Sequence, residues 1–214
     1  MNAAMVLDVH NGYVSYLVQD TVLFVVPLAE AEFGGLTAGI WFCARKPIRI
    51  PLPGRAGLDA WVDDWFDTGS RTEQPRSVTR DNGLLRLQRS GELSKTHKLQ
   101  LSPGLDAVLD ASADLPGHTV AFVVLTEEPV DRAEFMAVRR RAARYPVLWG
   151  FIGAETSVER SAYPGVVDTL GREPADPDNF VIVKVNGWAT VTRWFNSRRI
   201  KRAVRRRRGR TPVG

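Results

Sequence analysis

The sequence predicts an α/β fold: a three-layer, doubly wound, mostly parallel sheet with one antiparallel edge strand. Three observations lead there. Short apolar runs recur along the chain, at residues 3–9, 36–44, 118–125, 147–152 and 180–185, each the length of a buried strand. Stretches of helical apolar period lie between several of them, at 13–33, 102–113 and 130–144. One further run, Ile48-Arg49-Ile50-Pro51-Leu52, alternates and is bordered by prolines, which confines it to a sheet edge in a hairpin with the strand before it. Strands that alternate with helices pair in parallel and cover both faces of the sheet.

The elements follow in order. Gly12 breaks the first strand, and Val14, Leu17, Val18, Val22, Val25, Leu28 and Ala29 then form a helical stripe that Pro27 is expected to kink or interrupt. Gly34-Gly35 closes this helix. The run 36–44, with Ile40, Trp41 and Phe42, reads as a buried central strand. Residues 57–66 predict a short helix with Leu58, Trp61, Val62, Trp65 and Phe66 inward and Asp63 and Asp64 outward. Residues 68–99 read as an irregular insertion, in which the alternation through Leu84–Leu93 predicts a hairpin turning at Ser90-Gly91. Ser102 as N-cap and Pro103 at the first helical position open the next helix. Residues 158–170 are a shorter helical stretch, 171–179 a polar loop, and 190–206 the last helix, with Trp188, Val191, Trp194 and Phe195 on its apolar side. The expected organisation is one domain over 1–197 and a basic tail over 198–214.

Composition narrows the class. With 214 residues, 44% apolar and 25% charged, the chain is neither disordered nor fibrous and can bury a core. The net charge of +5 is unevenly spread: residues 179–214 hold 11 Lys/Arg and no Asp/Glu, which leaves 18 basic and 24 acidic residues in 1–178. A cationic end on an acidic body suggests an anionic partner or a tether. The single cysteine, Cys43, excludes an internal disulfide framework and a Cys-rich metal site, and points to the cytoplasm. The run Val14–Leu28 carries Gln19, Asp20 and Pro27 and follows no basic segment, so neither a signal peptide nor a transmembrane span is expected.

Chemistry-bearing residues are sparse. No nucleophile elbow, phosphate-binding loop or dinucleotide glycine fingerprint is present. His10, His97 and His118 are scattered. The position of interest is Asp8, at the carboxyl end of the first strand, where ligands of open α/β sheets bind. Glu127-Glu128 follows another strand end.

The ordered segments resemble a von Willebrand factor A domain. Met5-Val6-Leu7-Asp8-Val9-His10-Asn11-Gly12 stands where that family has a strand followed by Asp-x-Ser-x-Ser. Leu99-Gln100-Leu101-Ser102-Pro103-Gly104-Leu105 stands at its Thr-x-Leu-x-x-Ala-Leu, and Phe122–Pro129 at its strand followed by Thr-Asp-Gly. The run Tyr145–Gly153 and Asp178-Asn179-Phe180 resemble bacterial members encoded beside tellurium-resistance proteins. In the family, these motifs hold a divalent cation, usually Mg²⁺, that a partner's carboxylate completes. Here Asp8 is kept, His10 and Gly12 replace the two serines, Leu99 replaces the threonine, Glu127 replaces the second Asp, and Glu128 replaces the following Gly.

The resemblance therefore implies a degenerate metal site, empty of cofactor, in which Asp8 accepts hydrogen bonds from turn amides. The alternative is a rebuilt site in which Asp8, His10 and Glu127 take Zn²⁺ or Mn²⁺. The leading expectation is a non-enzymatic, cytoplasmic protein-interaction module of a bacterial tellurium-resistance or stress-response system. Its partner surface would be Asp8, His10, Gly12, Leu99, Glu127 and Glu128. A second reading is a nucleic-acid-associated protein whose tail binds phosphate through Arg198, Arg199, Lys201, Arg202, Arg205, Arg206, Arg207, Arg208 and Arg210. The same charges suit an anionic membrane surface. A metal-dependent hydrolase at the sheet edge is the third reading.

Overall fold

The computed structural model describes residues 1–8, 16–43, 46–53, 57–66, 82–93, 101–125, 133, 136–137, 140–141, 145, 147–154, 180–185 and 198–206. Among the described residues six strands form one sheet: β1 (Asn2–Asp8), β2 (Gly39–Cys43), β3 (Ile48–Ile50), β4 (Thr119–Leu125), β5 (Val147–Ala154) and β6 (Phe180–Val185). Their order is β3-β2-β1-β4-β5-β6. Every pairing is parallel except β2 with β3, where Ile40 lies opposite Ile50 and Phe42 opposite Ile48. The expected α/β class, with its one antiparallel edge strand, is the class observed. The strand order reverses at β1, which sits between β2 and β4, so the switch point lies along the central strand.

Helices α1 (Tyr16–Phe33), α2 (Leu58–Trp65), α3 (Gly83–Arg89) and α4 (Leu101–Ala113) cover the two faces. The period-2 alternation of β1 sorts its side chains between two cores. Ala3, Met5 and Leu7 join Val18, Val22, Val25 and Ala29 of α1, together with Trp61 of α2 and Leu84 of α3. Ala4 and Val6 join Leu101, Leu105 and Val108 of α4, with Trp149 and Phe151 of β5. All seven residues of β4 are buried, which is why Val120–Leu125 reads as an uninterrupted apolar run.

Several local expectations are corrected. The helix α1 continues through Pro27, which lies exposed on its solvent side, and ends where Gly34 and Gly35 take positive φ and Gly35 N donates to Ala29 O at 3.1 Å. Strand β2 begins only at Gly39, after a turn closed by Gly39 N donating to Leu36 O. The hairpin expected at Leu84–Leu93 is instead the helix α3 and its terminating turn. Asn82 caps it, its side-chain oxygen accepting from Leu85 N at 2.9 Å, and Gly91 at φ +79° closes it as a C-terminal glycine rather than as a hairpin turn. Leu84 and Leu93 are buried and Leu87 packs against the same cluster, a one-sided burial that a helix satisfies. Helix α4 opens at Leu101, so Ser102 and Pro103 stand within its first turn rather than at its cap, where the proline's missing N–H costs no hydrogen bond. Of the stretch 130–144, helix is described at 133, 136–137 and 140–141. Residues 158–179 and 188–197 lie outside the described residues.

Candidate functional site at the carboxyl edge of the sheet

The carboxyl edge is built from the ends of four parallel strands. Asp8 ends β1 and stands in register with Cys43, the last residue of β2. On its other side Leu7 pairs with Val124 of β4, and Leu125 in turn pairs with Gly153 of β5. Asp8 is thus the terminal residue of the strand at which the sheet reverses direction, as its place in the sequence implied.

Two helices begin toward this edge from opposite faces. Helix α1 returns from β1 to β2 over one core, and α4 runs into β4 over the other. Their amino ends carry partial positive charge, which favours a carboxylate or another anion at the edge between them. Helix α4 comes unusually near the strands there. A Cβ on Gly104 would lie 3.1 Å from both Cys43 Sγ and Val6 Cγ1, so a side-chain-free position in the first turn is what allows the approach. Gln19 and Thr21 of α1 are fully buried polar residues on the other face.

Of the sequence-derived site residues, the main chain of Asp8 is placed by its strand register. His10, Gly12, Leu99, Glu127 and Glu128 lie outside the described residues, as does His97. His118 belongs to the opposite edge: it precedes β4, and its carbonyl oxygen accepts from Asn2 N at 2.9 Å. Gly104 and Cys43 were not singled out by sequence as neighbours of Asp8. The signal for Gly104 was a glycine one residue after Ser102-Pro103 at a helix start, where nothing but a close approach favours it.

The residues that the resemblance assigns to a cation are poorly suited to Mg²⁺ by their donor types. Asp8 and Glu127 offer carboxylate oxygens, His10 offers nitrogen, and Gly12 and Leu99 offer no side-chain donor, whereas this ion takes oxygen ligands in near-octahedral array. Among the described residues no group of three or more His, Cys, Asp or Glu is placed to hold a metal ion. No described helix is long and apolar enough to cross a membrane.

The second set of sequence-derived residues is basic. Residues 198–206 form a helical segment that packs Ile200 and Val204 into the α1-side core. Lys201 Nζ lies 2.7 Å from Glu32 Oε1 near the end of α1. Arg198, Arg199, Arg202, Arg205 and Arg206 are exposed, and Arg207, Arg208 and Arg210 lie outside the described residues.

The edge and the strand order together define a mostly parallel α/β domain of Rossmann-like topology with its switch point at β1. No family model matches the chain, and no curated protein matches it. Among solved structures it is similar to that of proximal thread matrix protein 1 (PTMP1) from the mussel byssus, with a TM-score of 0.50 and 13% identity, over 90% of this chain and 46% of that one. The chain thus spans less than half the length of that structure, and the likeness at this identity is one of fold.

Proposed function

We propose that the domain is a non-enzymatic protein-interaction module of the von Willebrand factor A type, with the carboxyl edge of its sheet as the partner surface. The observation that carries this reading is the position of Asp8. It ends the strand at which the order β3-β2-β1-β4-β5-β6 reverses, beside a single antiparallel strand pair, in the place the motif resemblance assigns to it. The replaced oxygen ligands favour a surface that binds its partner by its own side chains and helix ends, without a bridging cation. By the same resemblance, the partner is a protein of a bacterial tellurium-resistance or stress-response system.

The test is affinity capture with the full chain and with the Asp8→Ala, Glu127→Ala double variant, each also assayed for thermal stability with Mg²⁺, Mn²⁺ and Zn²⁺. The expected result is loss of the captured partners in the variant and a midpoint insensitive to metal in the native chain. Undiminished capture by the variant refutes the surface. A cation bound at one equivalent and lost in Asp8→Ala refutes the metal-free mode.

A further inference from the structure

We propose that the helical segment 198–206 is a binding face for the phosphate backbone of nucleic acid, built into the fold at the opposite edge of the sheet from Asp8. The segment is anchored rather than trailing. Ile200 and Val204, one helical turn apart, are 3% and 4% exposed within the α1-side core, and Ala203 packs against the same cluster. The Lys201–Glu32 ion pair ties it to the last turn of α1. Helix α1 leaves the carboxyl end of β1 and returns to the amino end of β2, so Glu32 marks the amino edge of the sheet. Six residue steps of β1 separate that edge from Asp8, about 20 Å at strand rise.

The arginines are arranged as one surface. At about 100° per residue, Arg198, Arg199, Arg202, Arg205 and Arg206 fall within an arc of about 120° centred on Arg202 and opposite Ile200 and Val204. From Arg198 to Arg206 the row is about 12 Å long, enough to face three or four successive phosphates of one strand at about 3.4 Å each. Arg202 has an arginine four residues away on each side, and such like-charge pairs disfavour a helix. The stretch 179–214 holds no Asp or Glu. Folding alone does not require this concentration of charge, and a polyanion relieves it. Guanidinium groups also pair with phosphate in a bidentate way that ammonium groups cannot. The helix has no apolar side left for a bilayer, because Ile200 and Val204 are spent on the core, whereas interfacial helices bury that side among lipids.

The experiment is fluorescence anisotropy of a labelled, random-sequence DNA duplex with the full chain, between about 50 and 200 mM salt. With three or four phosphates engaged at a slope of about 0.9 each, affinity is expected to fall about 40- to 150-fold across that range. The Arg199→Gln, Arg202→Gln, Arg206→Gln variant should keep its melting temperature and lose about 2.7 from the log–log slope, while the matching lysine variant keeps the slope. Asp8→Ala should bind DNA as the native chain does, which separates this face from the carboxyl-edge surface. An unchanged slope in the glutamine variant, or salt-insensitive binding, overturns the proposal. So does tighter binding to phosphatidylserine vesicles or equal competition by polyglutamate, which would assign the face to a membrane or to an acidic protein.

Discussion

Replacing Gly83 by alanine sets helix propensity directly against packing. Gly83 is the first residue of α3 and is buried. A Cβ there would fall inside the van der Waals envelope of Trp65 Cε3 and lie 2.6 Å from Trp65 Cδ2 and Cζ3. The indole has little freedom to withdraw. Its ring centroid lies 6.0 Å from that of Phe42 and 6.3 Å from that of Trp61, and Arg86 of α3 sits 6.0 Å over it. Propensity and unfolded-chain entropy favour alanine by about 1 kcal/mol at most, and by less at a first helical position. Overpacking a well-filled contact costs about 1–3 kcal/mol. Packing therefore wins, with a net loss of about 1–2 kcal/mol. At about 2–4 °C per kcal/mol for a domain of this size, the midpoint should fall by about 2–8 °C in a thermal melt. Gly57→Ser is the matched control, since no atom lies within 4 Å of a Cβ built there. Serine is the better N-cap, so a gain of a few tenths of a kcal/mol is expected. A raised midpoint for Gly83→Ala would refute the reasoning, because it would mean that 82–93 does not form a helix seated on Trp65.

Two further outcomes test the docking of the basic helix. Ile200→Ala removes a side chain that is 3% exposed and should cost about 2–5 kcal/mol, or about 4–20 °C of melting temperature, whereas a frayed terminus would lose nothing measurable. Lys201→Ala breaks a pair whose side chains are 39% and 31% exposed, so less than about 1 kcal/mol should be lost in denaturant titration, and that loss should shrink in high salt.

The strands were legible because burial on both faces leaves a continuous apolar run. Val120–Leu125 has no polar position to confuse the reading, and Asp8 marks the end of β1 by its charge alone. The edge strand was legible for the opposite reason, since Pro47 and Pro51 bracket Ile48–Ile50. The stretch Leu84–Leu93 misled because Leu85-Arg86-Leu87-Gln88 alternates with period 2 while Leu84 and Leu87 repeat at helical spacing, and the residues that are buried decide between them. Gly91 is equally suited to a hairpin turn and to a helix terminus, so it does not discriminate, whereas the cap at Asn82 does. At the candidate site, the strand end of Asp8 was legible, but the apposition of Cys43 and Gly104 was not. Gly104 signals that something approaches the helix start, but what approaches it depends on a register between β1 and β2 and on a helix crossing that no local pattern encodes.

The topology also bears on the two proposed surfaces, the edge that Asp8 ends and the basic helix. Charges of opposite sign placed side by side would pair with each other and present little field to a partner. Here Asp8 ends β1 at one edge, while Lys201 is held at the other by Glu32, a separation of about 20 Å along the strand direction. Screening at physiological ionic strength acts over about 8 Å, so each surface keeps its own field. Glu32 pairs with Lys201, while the row centred on Arg202 lies on the exposed side of the segment. Under the two proposals, a ligand at either edge need not displace a contact at the other, and independent binding of the proposed protein partner and polyanion is the behaviour this separation favours.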